Sequence, residues 1–417
     1  MDNYLRGDRS RRLCDRDSFT LIELLIVVAI IGVLAATVTL VINPTQLIAE
    51  GRDSTRMQDV KNLNNAIGDY LAGGDSSLGV NGTVYISIPD TTSTCSDLGL
   101  PALPIGWYYH CVSTSTLRNT DGTGWVPIDF QSVTTGSPLP SLPIDPVNAT
   151  TSGEYYTYAT NGVSYELTAN FESNNYQANY SSGGLNPAVY SIGTNVSLTP
   201  FAQGLIGYWK FNDGAQGIGK TTVDSSGWGD SAVLGDATST GTGPTYQSSG
   251  CVEGGCYSLD SSDDYITLSN LPVNTSSGGQ TTVVFWMNWN SVGNAMPFGF
   301  YNYDLYLASG YFGFNTACSD VYGIPWTNLP SGWVQVAAIF TNDNVLENQL
   351  YINGVRQTLT QEQGTPCSPS VGATAGIGTW PYNNSYFFGN QVDDVMIYNH
   401  ALSSGEVQAI YNSQNPS

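Results

Sequence analysis

Two histidines and two pairs of neighbouring aspartates are the residues that could perform acid–base chemistry. The histidines, His110 and His400, lie in an aromatic run and at a strand end, with no nucleophile motif beside either. Adjacent aspartates occur at 263–264 and 393–394, but neighbours on a strand point to opposite faces and could not flank one glycosidic bond. We therefore expect that the protein is not an enzyme.

Cysteines offer a second kind of chemistry, because six of the seven could form disulfide bonds. Cys14 lies near the N terminus, and the other six follow residue 90. This even number favours disulfides in an oxidising compartment, while no pair has the two-residue spacing of zinc ligands. Several connectivities are open, and buried free thiols are the alternative. Nearness in sequence favours three pairs: Cys95–Cys111, Cys251–Cys256 and, as the remainder, Cys318–Cys367.

A single carboxylate interrupts the most apolar segment of the chain. Residues 19–42 contain one ionisable side chain, Glu23, and a helix of this length would reach about 36 Å, enough to cross a bilayer core of about 30 Å. Five arginines precede the segment and favour a cytoplasmic N terminus. They are Arg6, Arg9, Arg11, Arg12 and Arg16.

A secretory signal peptide and a plain membrane anchor are the alternatives for this segment. A signal peptide has a shorter apolar region followed by a small-residue cleavage site, which is absent here. A plain anchor does not account for Glu23, because a charge within an apolar helix costs about 2.5–3.5 kcal/mol on insertion scales. The carboxylate therefore indicates a function for the helix itself.

Residues 18–35, SFTLIELLIVVAIIGVLA, resemble the N-terminal signature of type IV prepilins and type II secretion pseudopilins. The resemblance implies cleavage between Ser18 and Phe19 by a prepilin peptidase, and methylation of the new amine. Ser18 stands where the family nearly always has glycine. The resemblance also implies that Glu23 meets the N-terminal amine of a neighbouring pilin subunit, which would offset the cost of the buried charge.

Beyond this segment the sequence predicts a second helix and a small β head. Asn43-Pro44 interrupts the first helix, apolar residues from 47 to 71 recur at helical spacing, and Gly73-Gly74 ends the pattern. Strand-like runs follow at 84–88, 155–159 and 163–169, and residues 142–158 resemble the C-terminal half of pseudopilin heads. Asp145 and Asn148 could bind calcium or form an Asx turn.

From residue 204 the sequence predicts an all-β sandwich. Apolar residues alternate at 281–289 and 332–340, and Asn353-Gly354 is a hairpin signal. Four ordered blocks, at 205–227, 257–266, 333–354 and 392–403, resemble laminin-G-like, concanavalin A-like jelly rolls. The predicted class is α+β: leader 1–18, pilin helix 19–72, antiparallel-sheet head and linker 73–203, and jelly roll 204–417.

The jelly-roll resemblance implies two kinds of site. Aspartates that match family positions near a structural calcium are Asp213, Asp224, Asp260 and Asp394, and capping of turns is their alternative role. Glycan contact would use exposed aromatic rings beside hydrogen-bonding amides, as in the loop at 380–386. Its candidate residues are Trp380, Tyr382, Asn383 and Tyr386, although core packing of Trp380 is an alternative.

The charge balance limits the partners. Acidic residues number 34 against 12 Lys and Arg, so no nucleic-acid partner is expected. The sequence predicts a single-pass protein of the cytoplasmic membrane that becomes part of an extracellular filament, with a jelly roll that binds glycans or proteins. The alternative is a minor pseudopilin of a secretion or DNA-uptake machine, in which the jelly roll is architectural.

Overall fold

The computed structural model describes residues 20–74, 77–180, 184, 186–199, 204–235, 243–289 and 293–414, without the side chains of 34–42. The predicted processing residues, Ser18 and Phe19, and Cys14 lie outside these ranges. The chain forms two compact units that divide between Ile48 and Ala49.

The first unit contains helix α1, Leu21–Ile42. Thr20 caps it: the Thr20 hydroxyl accepts from the Glu23 N–H, and the Glu23 carboxylate accepts from the Thr20 N–H at 2.8 Å, a capping box. Asn43 follows in the left-handed conformation (φ 41°), and helix α2, Pro44–Ala72, begins at the next residue. In the part of the chain with described side chains, no helix combines the length and apolar character needed to cross a membrane.

Helix α2 packs on a five-stranded sheet in the second unit. Its buried residues Val60, Leu63, Ile67 and Tyr70 recur every three or four positions, as the sequence predicts. The strands of this sheet are β1 Thr83–Ile86, β2 Tyr108–His110, β3 Thr157–Thr160, β4 Tyr165–Ala169 and β5 Tyr190–Gly193. Their order is β2-β1-β3-β4-β5.

The sheet is antiparallel except at one edge. Strand β2 pairs with β1 in parallel, which requires a long return connection, and residues 87–107 provide it. The Cys95–Cys111 disulfide ties this connection to the residue that follows β2. The expectation of an antiparallel head therefore holds for four of the five strands.

A buried ion network joins α2 to the segments around the sheet. The fully buried Arg56 guanidinium contacts Asp145 through Nε at 2.6 Å and Nη2 at 2.9 Å, Asp53 at 2.7 Å, and Glu172 at 2.5 Å. Burial opposes the charge of Arg56, but Asp145, Asp53 and Glu172 together raise its pKa above the usual range. Asp145 also accepts from the N–H groups of residues 147 and 148, so it forms the Asx turn rather than an open calcium ligand.

The remaining strands form a two-sheet sandwich around the largest core. Its strands are β6 Leu205–Trp209, β7 Thr221–Thr222, β8 Ala232–Leu234, β9 Thr245–Gln247, β10 Cys256–Asp260, β11 Ile266–Leu268, β12 Gln280–Trp289, β13 Ala295–Phe300, β14 Tyr303–Ala308, β15 Tyr311–Asn315, β16 Val321–Pro325, β17 Gly332–Thr341, β18 Gln349–Ile352, β19 Val355–Arg356, β20 Thr360–Gln363, β21 Ala375–Ile377 and β22 Gly389–Tyr398.

The two sheets differ in strand order. One runs β19-β18-β17-β12-β22-β10-β9, with β6 also paired to β22, and the other runs β20-β16-β15-β14-β13-β21-β11-β8-β7. Asn353 (φ 50°) and Gly354 (φ 77°) form the predicted tight turn between β18 and β19. The α+β class, with a helix, a small sheet and a jelly-roll sandwich, is confirmed.

The small sheet's lobe and the sandwich are packed together through two short helices. Helix α3, Asn174–Asn179, lies against helix α4, Ser404–Gln414. A side chain at Gly405 would come within 2.9 Å of the Asn174 Cα, so only glycine permits this approach. Ser403 donates to Gln177 at 2.8 Å, and Asn412 donates to the carbonyl of residue 178 at 2.9 Å. The two lobes therefore share a specific interface.

We predict that Arg56→Met lowers the free energy of unfolding by about 3–5 kcal/mol, because it leaves the buried carboxylates of Asp53 and Asp145 without their cation. Urea unfolding of the full-length protein in detergent measures this change. Lys61→Met is the control, since Lys61 is an exposed residue of the same helix. Equal losses in the two variants would contradict the role of the network.

Candidate functional site

Five aromatic side chains form a cluster that we call the aromatic platform: Tyr301, Tyr306, Trp380, Tyr382 and Tyr386. Ring centroids are 4.9 Å apart for Tyr301–Tyr382, 5.1 Å for Trp380–Tyr382 and 5.4 Å for Tyr306–Tyr386. Tyr382 is 52% exposed, Tyr301 48% and Tyr386 38%. A surface of rings that remains this open is not core packing, and it presents apolar faces beside phenolic hydroxyls.

Hydrogen bonds hold the platform in place. The Trp380 indole N–H donates to the carbonyl of Tyr301 at 3.0 Å, which connects the 378–388 loop to the β13–β14 turn. Within the loop, the Trp380 N–H donates to the Ser385 carbonyl at 2.8 Å, and the Asn384 N–H donates to the Trp380 carbonyl at 3.0 Å. Asn384 also donates through Nδ2 to the Tyr265 hydroxyl at 3.0 Å. The rings are therefore positioned before any ligand arrives.

The structure brings together the predicted Trp380, Tyr382 and Tyr386 and adds two residues. Asn383 lies in the same loop, where its Oδ1 accepts from the Ser385 hydroxyl. Tyr301 and Tyr306 come from the β13–β14 hairpin and were not predicted. The sequence does show an aromatic residue in the turn FYNYD. It does not show that this turn contacts a loop about eighty residues later.

Two of the predicted calcium ligands already accept hydrogen bonds from other groups of the protein. Asp213 accepts from the Thr222 hydroxyl and the Val223 N–H, both at 2.9 Å. Asp224 accepts five hydrogen bonds at 2.7–3.2 Å, from Tyr208 and from the turn that follows Asp224 itself. Asp224 caps a turn, which is the alternative role that the sequence allows, whereas Asp213 bonds to residues in and beside β7.

Asp260 belongs to a compact acidic cluster with Asp263 and Asp264. Ligand oxygens of the three residues lie within 4.8 Å of one another. Asp260 Oδ1 caps the turn by accepting from three backbone N–H groups, the shortest at 2.8 Å. Asp264 is 3% exposed, and its Oδ1 has no partner among the described residues. Burial and then the neighbouring Asp260 raise the pKa of Asp264 to about 6.

Asp394 lies apart, buried on β22 beside Asp393. Its Oδ1 accepts from the Tyr208 hydroxyl at 3.1 Å, while its Oδ2 has no partner in the described ranges. Burial, then the negative charge of Glu253, raises the pKa of Asp394 to about 7. Asp393 Oδ2 accepts from the N–H groups of Val252 and Glu253, and burial raises its pKa to about 8.

The four predicted calcium ligands therefore do not assemble into one site. Among the described residues only two groups of three candidate metal ligands are close together. One is the Asp260–Asp263–Asp264 cluster. The other contains Asp393 with Cys251 and Cys256, whose sulfurs are bonded to each other and are not free to ligate a metal. The unpartnered oxygen of Asp264 makes the first group the better fit to a cation.

The six cysteines of the described chain are joined in three disulfides. The bonds are Cys95–Cys111, Cys251–Cys256 and Cys318–Cys367, which are the pairs that nearness in sequence favours. The second closes a small ring that contains the backbone donors to Asp393.

We predict that the free energy of unfolding falls less steeply from pH 5 to pH 8 in the Asp394→Asn variant than in the wild type. The folded carboxyl has a pKa of about 7, above the unfolded value of about 3.9. Its contribution is therefore full below about pH 4 and is lost as the pH rises through 7. Urea unfolding at pH 5, 6, 7 and 8 measures the slope. The exposed Asp343→Asn is the control, and identical slopes for the wild type and Asp394→Asn would refute the prediction.

Comparison with known proteins identifies two segments. Residues 16–39 match the model of the prokaryotic N-terminal methylation motif, and residues 260–408 match a model of the concanavalin A-like lectin/glucanases superfamily. No curated protein matches the chain. Each match spans less than half of the sequence, and the expectation that the protein is not an enzyme stays a prediction.

Several solved structures resemble half of the chain. The binding domain of Paraclostridial Mosquitocidal Protein 1 is 13% identical, with a TM-score of 0.36 and coverage of 50% of this chain and 52% of that one. The receptor binding domain of botulinum neurotoxin D is 17% identical, with a TM-score of 0.36 and coverage of 51% and 53%. The chain thus spans about half the length of these two proteins.

A third similar structure is Domain 4 of AbnA, a GH43 extracellular arabinanase from Geobacillus stearothermophilus, in complex with arabinotriose. It is 17% identical, with a TM-score of 0.36 and coverage of 50% of this chain and 98% of that one. Together with the motif matches, the fold gives one conclusion: the chain carries a pilin-type N-terminal methylation motif and a concanavalin A-like, laminin-G-like domain.

Proposed function

We propose that this protein is a structural and adhesive subunit of a type IV pilus-like surface filament. In this proposal, residues 1–18 are a leader, residues 19–72 the assembly helix, residues 73–203 the head and linker, and residues 204–417 a jelly roll that binds glycans. The observation that carries the adhesive part is the aromatic platform. Its exposed rings are held in place by hydrogen bonds of the loop that carries them.

The chemistry of the platform suits a sugar. A pyranose presents C–H groups on one face and hydroxyls at its rim, so it packs on an aromatic ring while it exchanges hydrogen bonds with neighbouring polar groups. Trp380 and Tyr382 are nearly parallel, at 30°, and Asn383 supplies an amide beside them. Rigid aromatic side chains lose little conformational entropy on binding, which favours affinity.

The assembly part rests on Glu23 and its surroundings. In the single chain the carboxylate accepts from the Thr20 N–H and hydroxyl, both at 2.8 Å, and an ionised carboxylate can accept further hydrogen bonds. Large apolar side chains around it, such as Leu24 and Leu25, are exposed at 57% and 62%. In a filament, neighbouring helices would cover these side chains, and the methylated amine of Phe19 from a neighbour would pair with Glu23.

Assembly changes the location of the chain and its partners. Before assembly the chain is a single-pass protein of the cytoplasmic membrane and a substrate of a prepilin peptidase. Afterwards it is part of an extracellular filament with other pilin subunits, and it contacts glycans or the surfaces of neighbouring or host cells. The pilin-type motif at residues 16–39 supports this sequence of events.

A minor pseudopilin of a secretion or DNA-uptake machine is the second candidate. The interface between α3 and α4 favours it, because a domain packed so closely on the head could serve as a cap. Immunogold labelling distinguishes the two roles. Label along whole filaments indicates the adhesive filament subunit, whereas label confined to tips or to the cell envelope indicates the minor subunit.

Calcium is the cofactor that we propose, held by Asp260, Asp263 and Asp264. Bound calcium would neutralise repulsion among the three carboxylates and satisfy the buried oxygen of Asp264. We predict that millimolar calcium raises the melting temperature of the wild-type protein, and that Asp264→Asn removes the increase. Asp213→Asn is the control. An equal calcium effect in the wild type and Asp264→Asn would contradict this site.

For the platform, we predict that Tyr301→Ala combined with Tyr382→Ala weakens glycan binding by about tenfold or more, a loss of about 1.4 kcal/mol. Full-length protein in detergent on a glycan array, followed by titration of the strongest glycan, measures the loss. Tyr108→Ala is the control, because Tyr108 is 69% exposed but lies on the head. Failure of the wild type to bind any glycan would refute glycan adhesion.

For assembly, we predict that Glu23→Ala leaves membrane insertion intact and strongly reduces incorporation into filaments. The variant removes the partner of the neighbouring amine but keeps the helix apolar. Fractionation into membrane and sheared-filament pools, with quantitative immunoblotting, separates the two steps. Incorporation at the wild-type level would rule out charge pairing as the determinant of assembly.

A further inference from the structure

A polar cavity of about 650 Å³ lies at one edge of the sandwich, away from the aromatic platform. Residues 357–359, which connect the edge strand of one sheet, β19, to the edge strand of the other, β20, form part of its lining. Its volume falls within the range of about 300–1,000 Å³ that is usual for small-molecule sites. We infer that this cavity is a second saccharide-binding site of the jelly roll.

The lining is rich in side-chain amides, and we call this site the amide cavity. The amides belong to Gln280, Asn348, Gln349 and Gln357. Each amide can donate and accept hydrogen bonds, and so can each hydroxyl of a sugar, so the two groups match without any net charge. Tyr322 and Leu359 add partly buried apolar surface, against which the C–H face of a sugar can pack.

Asn348 is a rigidly held part of the cavity lining. Its side chain is 5% exposed, and its Oδ1 accepts from the Thr341 N–H at 2.8 Å and from the Tyr303 hydroxyl at 2.7 Å. Because the backbone N–H can only donate, the amide orientation is fixed. This part of the cavity wall is therefore in place before any ligand arrives.

The charges around the cavity favour a neutral ligand. Arg356 and Glu347 both line it and are both exposed, so one cation and one anion offset each other. Neither side chain forms an ion pair of 4.0 Å or less with another described residue. Both groups are therefore available for hydrogen bonds to hydroxyls, and a strongly anionic polymer would meet the carboxylate of Glu347.

The amide cavity shares no residue with the aromatic platform, and the inference does not depend on the platform. Two separate sites on one domain would let a single subunit hold one long polysaccharide or two chains. Repetition along a filament would then multiply a weak affinity for each site.

Calorimetric titration of the full-length protein in detergent tests the inference, with cellohexaose, xylohexaose, mannohexaose and hexagalacturonic acid as probes. The background is the Tyr301→Ala and Tyr382→Ala variant, so that the platform does not contribute. We expect at least one of the three neutral probes to bind this background. Adding Arg356→Gln and Gln357→Ala should weaken that binding at least tenfold.

Lys220→Gln in the same background is the matched control, because it removes one exposed cation beside β7, at the opposite edge of the sheet from β20. It should leave the affinity unchanged. Absence of binding by every neutral probe, binding of hexagalacturonic acid alone, or unchanged affinity in the Arg356→Gln and Gln357→Ala variant would each overturn the inference. A decrease in binding from the wild type to the Tyr301→Ala and Tyr382→Ala variant tests the proposed adhesive site and does not test this cavity.

Discussion

A single buried guanidinium organises the connection between helix α2 and the segments packed around it. Arg56 lies on α2, Asp145 follows a long loop, and Glu172 precedes the N-cap of α3, so one side chain joins three segments that are distant in sequence. Asp53, one turn earlier on α2, accepts from the N–H groups of Glu172 and Ser173. Ser173 is the N-cap of α3, and α3 packs on α4 of the sandwich. Hydrogen bonds and packed helices therefore connect the jelly roll to α2.

Hydrogen bonds within the fold also account for several of the acidic residues. Asp224, Asp260 and Asp393 accept backbone N–H groups in turns, where a carboxylate replaces the missing hydrogen bonds of the chain. Such aspartates look like metal ligands in the sequence, and most are already satisfied. In our proposals, recognition depends mainly on neutral groups, which are aromatic rings at the platform and amides in the cavity. Such groups suit a ligand that carries hydroxyls and no charge.

Features set by local pattern could be predicted from the sequence, and features set by distant contacts could not. The break at Asn43, the tight turn at Asn353-Gly354 and the sandwich follow from short-range rules of conformation and alternation. The parallel pairing of β2, the network around Arg56 and the meeting of Tyr301 with Trp380 depend on which segments become neighbours in the fold. The calcium prediction relied on matched positions, and only the fold shows that Asp264 lies closer to a usable site than Asp213 or Asp224.

The central claim is that the chain is processed and assembled as a pilin-type subunit that displays a recognition domain. Mass spectrometry of the mature N terminus, on protein purified from its native cell surface, tests this claim most directly. The account predicts a chain that begins at Phe19 with a methylated amine. A chain that retains the first 18 residues, or that begins after the apolar segment at residue 43 or later, would contradict it.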